Sequence, residues 1–227
     1  MLFRSDIAMC EAKKRGGGRF QYFSGALNTK LAQREELEGG LRHALVRNGF
    51  VLHYQPRIDL ASNRLIGLEA LLRWQHPRFG LLAPPRFLPI LESSGLIHSA
   101  GEWVVATACR QLASWQRRFE LPDLSMAINV SPQQLMHKRL VTVMSKVLAD
   151  TALDPGCIEL EICDGDMMQN RESEHEILRQ LRKLGVRLSL DNFGTRDVSF
   201  ESIDSGFIDS FVLDQTLLAD EIVRAHV

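Results

Sequence analysis

The stretch SMAINVSPQQLMHKRLVTVMSKVLADTALDPGCIELEICD, residues 125–164, decides the fold class. Ser125–Val130 is short and apolar and reads as a strand. Pro132 suits the first turn of a helix, and the spacing predicts a helix over 132–149. Cys157–Ile162 is a second short strand. Short β-rich runs separated by helices of this length argue for a largely parallel α/β fold.

The pattern continues on both sides. Upstream lie a β-rich run, Val51–Tyr54, closed by Gln55-Pro56, a strand over Leu65–Leu72, and a helix over 101–118 carrying Trp103, Ala106, Ala108 and Trp115. Downstream, Glu172, Glu174 and Glu176 mark the start of a helix, where the dipole favours acids. That helix spans 172–184 and ends at Gly185. Val186–Asp191 is a strand, and Phe207–Asp214 ends in another. Further out, residues 29–47 form a connector helix with Leu31, Leu37, Leu41, Ala44 and Leu45 at helical spacing. Residues 5–15 read as a short amphipathic helix, stopped by Gly16-Gly17-Gly18, and residues 19–23 as a strand. One helix and one strand cannot form a core, so this start is an appendage or the tail of something missing.

A closed (β/α)8 barrel needs about 250 residues, roughly 30 per unit. The chain has 227 residues, and the part from Val51 onward holds roughly six units at that rate. The expectation is an open sheet, or a barrel lacking its end.

Composition is 45% apolar and 24% charged, which excludes a mainly disordered chain, a collagen or a disulfide scaffold. The formal net charge of −1 gives no support for binding a nucleic acid polymer. No apolar run is long enough to span a membrane, and the N-terminus lacks a signal-peptide core, so a cytoplasmic location is expected. Cys10, Cys109, Cys157 and Cys163 have no zinc-ligand spacing and read as free thiols. Trp74, Trp103 and Trp115 read as packing residues. His53, His76 and His98 have no metal spacing and read as surface or capping groups.

Oxygen-bearing side chains stand at or near the C-terminal ends of the strands: Glu69, Asn129, Glu161, Asp191 and Asp214. That rim is where parallel α/β folds place active sites. Buried carboxylates are costly unless paired or metal-bound. Oxygen donors without cysteine or histidine suit Mg2+, Mn2+ or Ca2+ better than Zn2+. A single acid at a strand end is an ordinary helix cap or turn former; five in succession are harder to read that way and leave open a hard-metal site, of the kind that commonly serves phosphate chemistry.

The same residues carry a family resemblance. EALLRW at 69–74 with QHPRFGLL at 75–82 resembles the signature of EAL domains, the phosphodiesterases that hydrolyse the second messenger cyclic di-GMP. YQP at 54–56, FLPILESSGLI at 87–97, INVSPQQL at 128–135, LEICD at 160–164 and DNFGT at 191–195 follow in family order. The segment SDIAMCEAKKRGGGRFQYF at 5–23 is similar to the last helix and strand of a GGDEF domain. The resemblance implies three segments: a GGDEF remnant over 1–25, a connector helix over 26–48, and a C-terminally truncated EAL domain over 49–227. It implies an incomplete TIM-like (β/α) barrel with cyclic di-GMP across its rim. Glu69, Asn129, Glu161 and Asp191 fall on family metal-ligand positions for Mg2+ or Mn2+, with Glu69 and Asp191 in the catalytic role. Gln55, Arg73 and Asp214 fall on substrate-binding positions, and the planar fork of Arg73 suits phosphate oxygens.

Departures from the family pattern bear on activity. DDFG reads here as Asp191-Asn192-Phe193-Gly194, and the following GYSSL loop as Arg196-Asp197-Val198-Ser199-Phe200. The lysine of LKID falls on Val212, and no lysine follows Lys183. The AEGVE and QGY segments of the last two strands have no counterpart. The expectation is hydrolysis to linear pGpG that is weak or absent. The alternatives are a non-catalytic cyclic di-GMP receptor, a protein-interaction module or a gene fragment. Unpaired sheet edges would favour a homo-oligomer.

Overall fold

A computed structural model describes residues 25–163, 171–193 and 206–213. The elements run α1 Gly25–Val46, β1 Phe50–Asp59, β2 Arg64–His76, β3 Gly80–Leu82, α2 Leu88–Ser93, α3 Ile97–Phe119, β4 Ser125–Val130, α4 Pro132–Leu135, α5 Arg139–Thr151, β5 Ile158–Cys163, α6 Arg171–Lys183, β6 Arg187–Phe193 and β7 Ser210–Leu213. The helix and strand expected over 5–23, and Asp214, lie outside the described residues.

One sheet runs in the order β1-β2-β4-β5-β6-β7, with β3 hydrogen-bonded to β2. The pairs from β2–β4 to β6–β7 are parallel, as the βαβ pattern requires. Among the described residues β1 and β7 end the order, so the sheet is not closed.

Two elements differ from the sequence reading. The first strand runs on through Pro56 to Asp59 and is antiparallel to β2. Its connection to β2 is too short for a crossover, which needs a dozen or more residues, and Asn63 adopts φ 53° within it. Proline is tolerated because β1 is an edge strand. The helix expected over 132–149 is broken into α4 and α5. Leu135 and Leu140 are both buried in the same core. Met136–Lys138 separate the two helices.

Alternation along the strands separates two faces. Met126, Ile128, Ile158, Leu160, Ile162, Leu188 and Leu190 are buried beneath α3, α5 and α6, against Val105, Leu112, Met144 and Leu178. The opposite, concave face carries Gln55, Arg57, Glu69, Asn129, Glu159, Glu161, Ser189 and Asp191. The interior of a (β/α) barrel is ordinarily filled by branched apolar side chains. A polar interior in this sheet therefore needs a functional explanation.

The connector helix α1 seats Leu37, Leu41 and Ala44 in a second core with Phe50, Trp74, Phe87, Leu91 and Ile97. Gly40 lies over the Trp74 ring, where an added Cβ would come within 2.9 Å of Cζ2. Arg34 Nη2 donates to Ser93 Oγ at 2.8 Å. Trp74 is a core residue, 1% exposed, and Trp115 meets Tyr54 edge-on. His76 is buried and caps a turn, its Nδ1 facing the backbone N–H groups of Arg78 and Phe79 at 3.0 and 3.1 Å. Among the described residues, no helix is long and apolar enough to cross a membrane.

Candidate functional site

Strand register brings the sequence candidates to one rim. Gln55 stands opposite Glu69 across the β1–β2 pair. Asn129 stands opposite Glu161 across β4–β5, and Cys163 opposite Asp191 across β5–β6. Asn129 Nδ2 donates to Glu69 Oε1 at 2.8 Å. That bond ties β2 to β4 and leaves the amide Oδ1 as the atom a cation would take.

Glu161 is the most perturbed of these groups. It is 4% exposed, and its carboxyl is pushed up to about 8. Burial is the first cause, followed by the Glu69 carboxylate; Arg57 opposes the shift, and Asp191 and Glu159 add to it. Glu161 thus lies within the fields of both Glu69 and Asp191.

Three charged residues were not singled out from the sequence. Arg57 Nη1 donates to Glu159 Oε1 at 3.0 Å and lies 3.6 Å from Glu161 Oε1. Arg187 Nη2 lies 3.7 Å from Glu159 Oε2. The legible signal was Glu159 itself, two residues before Glu161 and therefore on the same face. A buried acid demands a partner, but nothing local says which one.

The donor chemistry fits a hard divalent cation. Carboxylate and amide oxygens are the donors such an ion takes, and the Glu161 carboxyl is raised first by burial and then by the Glu69 carboxylate. Among the described residues, no three His, Cys, Asp or Glu side chains are grouped so as to hold a metal ion as they stand. The oxygen set includes an asparagine, and Glu161 also faces Arg57.

Gln55 is exposed on the edge strand. Arg73 lies four residues beyond Glu69 on the same face of β2 and donates from Nη1 to the Leu72 carbonyl at 2.8 Å. Val212 is partly buried in β7. A cavity of about 360 Å³ adjoins the rim, lined by Glu69 and Asn129 together with Leu72, Pro84, Ile97 and Gly101. Its size lies within the range of small-molecule sites.

A family model described as EAL domain matches residues 38–224. The chain is 36% identical over 224 residues to the bifunctional diguanylate cyclase/cyclic di-GMP phosphodiesterase MucR of Pseudomonas aeruginosa, an alignment covering 94% of this chain and 33% of that protein. It is 34% identical over 220 residues to the cyclic di-GMP phosphodiesterase PdeR of Escherichia coli, covering 97% of this chain and 33% of that one. The chain therefore spans about a third of the length of these curated relatives. The solved structure of the PaMucR phosphodiesterase in its c-di-GMP complex matches with a TM-score of 0.77 and 36% identity, covering 82% of this chain and 75% of that one.

Proposed function

The chain belongs to the EAL domain family, and from that premise we propose that it binds cyclic di-GMP at the strand-end rim and hydrolyses it weakly to pGpG. The observation that carries this reading is geometric: Asn129 Nδ2 donates to Glu69 Oε1 at 2.8 Å, and the Glu161 carboxyl is buried on the same face of the sheet. A buried carboxyl perturbed by burial and by neighbouring acids marks a candidate functional site.

Glu69, Asn129, Glu161 and Asp191 are the residues that would hold Mg2+ or Mn2+, or Ca2+. A bound divalent ion activates water and neutralises charge on phosphoryl oxygens. The chain's own groups supply the rest. Arg73 offers a guanidinium to a phosphate, and Gln55 and Asp214 complete the ligand contacts. The Asn129–Glu69 hydrogen bond fixes both side chains before ligand arrives. Glu69 and Asp191 orient the attacking water through carboxylate oxygens.

Asn192 and Val212 motivate weak turnover. They stand where the family pattern has a second aspartate and a lysine, and loss of one such electrostatic group costs about 10²–10³ in rate. The same substitutions beside retained Gln55 and Arg73 favour a second reading, a receptor that binds the dinucleotide without cleaving it.

The test is release of pGpG from cyclic di-GMP with Mg2+ or Mn2+, against an Asp191→Ala control, alongside calorimetry. Slow release that the substitution abolishes supports the enzyme. Binding without release selects the receptor. No binding heat with or without metal removes both.

A further inference from the structure

Arg57 reaches across the concave face. Its strand β1 is three places from β5 in the sheet order, about 14 Å in a flat sheet. Yet its guanidinium makes a 3.0 Å hydrogen bond to Glu159 and lies 3.6 Å from Glu161. The sheet must curl strongly to bring them together. Both glutamates are nearly fully buried, while the Arg57 side chain is one-third exposed. A positive charge from the opposite strand thus stands between two buried acids, one of them a candidate metal ligand.

The contact is asymmetric. Glu159 takes the hydrogen bond, and Glu161 is held more loosely. Arg187 adds a second positive charge on the Glu159 side. A guanidinium so placed supports the Glu161 carboxylate in the absence of other cations and repels an incoming dication.

We propose that Arg57 is a built-in counter-cation of the rim, which pairs with Glu161 while no divalent ion is bound and withdraws towards Glu159 when one enters. This inference rests on the assignment of Glu161 as a metal ligand. Arg57 is then a positioning residue: it sets metal affinity without touching substrate. Glu159 is the partner that lets it withdraw.

The inference gives opposite signs for two neighbouring substitutions. Arg57→Gln removes the competing charge, so Mn2+ binds about tenfold more tightly, a change of the size that outer-shell partners produce. Its metal-free melting temperature falls, because two buried acids lose their partner, and added Mn2+ raises that temperature more than in the unsubstituted chain. Glu159→Gln deprives the guanidinium of its second partner and commits it to Glu161, so Mn2+ binding weakens by about the same factor. A purely structural role would weaken binding in both variants.

The experiment is titration of the full chain with Mn2+, read by the electron paramagnetic resonance of the free ion and by thermal unfolding, with Glu161→Gln as the control. Tighter binding by Arg57→Gln with weaker binding by Glu159→Gln is the expected result. Unchanged or weaker binding by Arg57→Gln overturns the role of Arg57; if the unsubstituted chain binds and Glu161→Gln does not, the metal assignment survives. Equal binding by the unsubstituted chain and Glu161→Gln overturns both, as does no binding by any variant. If Arg57→Gln fails to fold by circular dichroism, Glu159→Gln decides: weaker binding supports the proposal, and unchanged or tighter binding overturns it.

Discussion

Asn129 donates its Nδ2 hydrogen to Glu69 Oε1 at 2.8 Å, joining β4 to β2 across sixty residues of sequence. Neither side chain belongs to the buried core, so the bond organises the rim more than it stabilises the fold. Asn129→Ala should weaken Mn2+-dependent binding of cyclic di-GMP by about 10–100-fold. Stability should move by no more than about 0.5 kcal/mol. Calorimetry and a thermal melt measure the two effects; a large loss of stability with intact binding would reverse this assignment.

Trp74 tests the clamp between α1 and the sheet. Its ring lies against Phe87 and His76 and directly under Gly40. Trp74→Ala should cost about 3–5 kcal/mol. Gly40→Leu should also destabilise, by overpacking the same ring. Urea unfolding midpoints measure both, and a small change in either would mean that α1 can move off the sheet at little cost.

Gly185 ends α6 with φ 89°, and a Cβ there would stand 3.1 Å from Pro155 Cβ. Gly185→Ala should lose about 1–2 kcal/mol, since an L side chain is strained in that region. The unfolding free energy of the variant gives the answer directly. Unchanged stability would show that the turn relaxes.

His98 gives a pH dependence. Its ring meets that of His137 at a centroid distance of 4.8 Å. Burial holds its pKa below the usual imidazole value, the positive charges of His137 and Arg139 lower it further, and Glu102 opposes them. The folded chain therefore holds the proton less readily than the unfolded one. The contribution to stability is present above the unfolded value near 6.5 and is lost as pH falls through the depressed folded value. His98→Gln should flatten the decline in melting temperature between about pH 7 and pH 5. Parallel curves for the two proteins would remove His98 as the cause.

Much of this site was legible as spacing. Glu161 sits on a strand whose other face is Ile158, Leu160 and Ile162, and period-two alternation alone sets it on the opposite side. Glu69, Asn129 and Asp191 follow by the same rule, and the EALLRW, INVSPQQL and DNFGT runs placed them in one family pattern. The β1 direction was not legible, because an edge strand rich in Val, Leu and Tyr reads alike in either sense. The break at Met136–Lys138 was missed because Pro132 and the apolar spacing on either side of it promote one helix.

Local alternation and helical spacing, properties of neighbours in the chain, were enough to determine a largely parallel α/β fold with oxygen donors at or near its strand ends, and the motif resemblance named the EAL type and picked out Glu69, Asn129, Glu161 and Asp191. The partnership of Arg57 with Glu159 and Glu161 was decided by tertiary structure alone. It depends on how far the sheet curls between β1 and β5, a property of several strands together that no stretch of sequence states by itself.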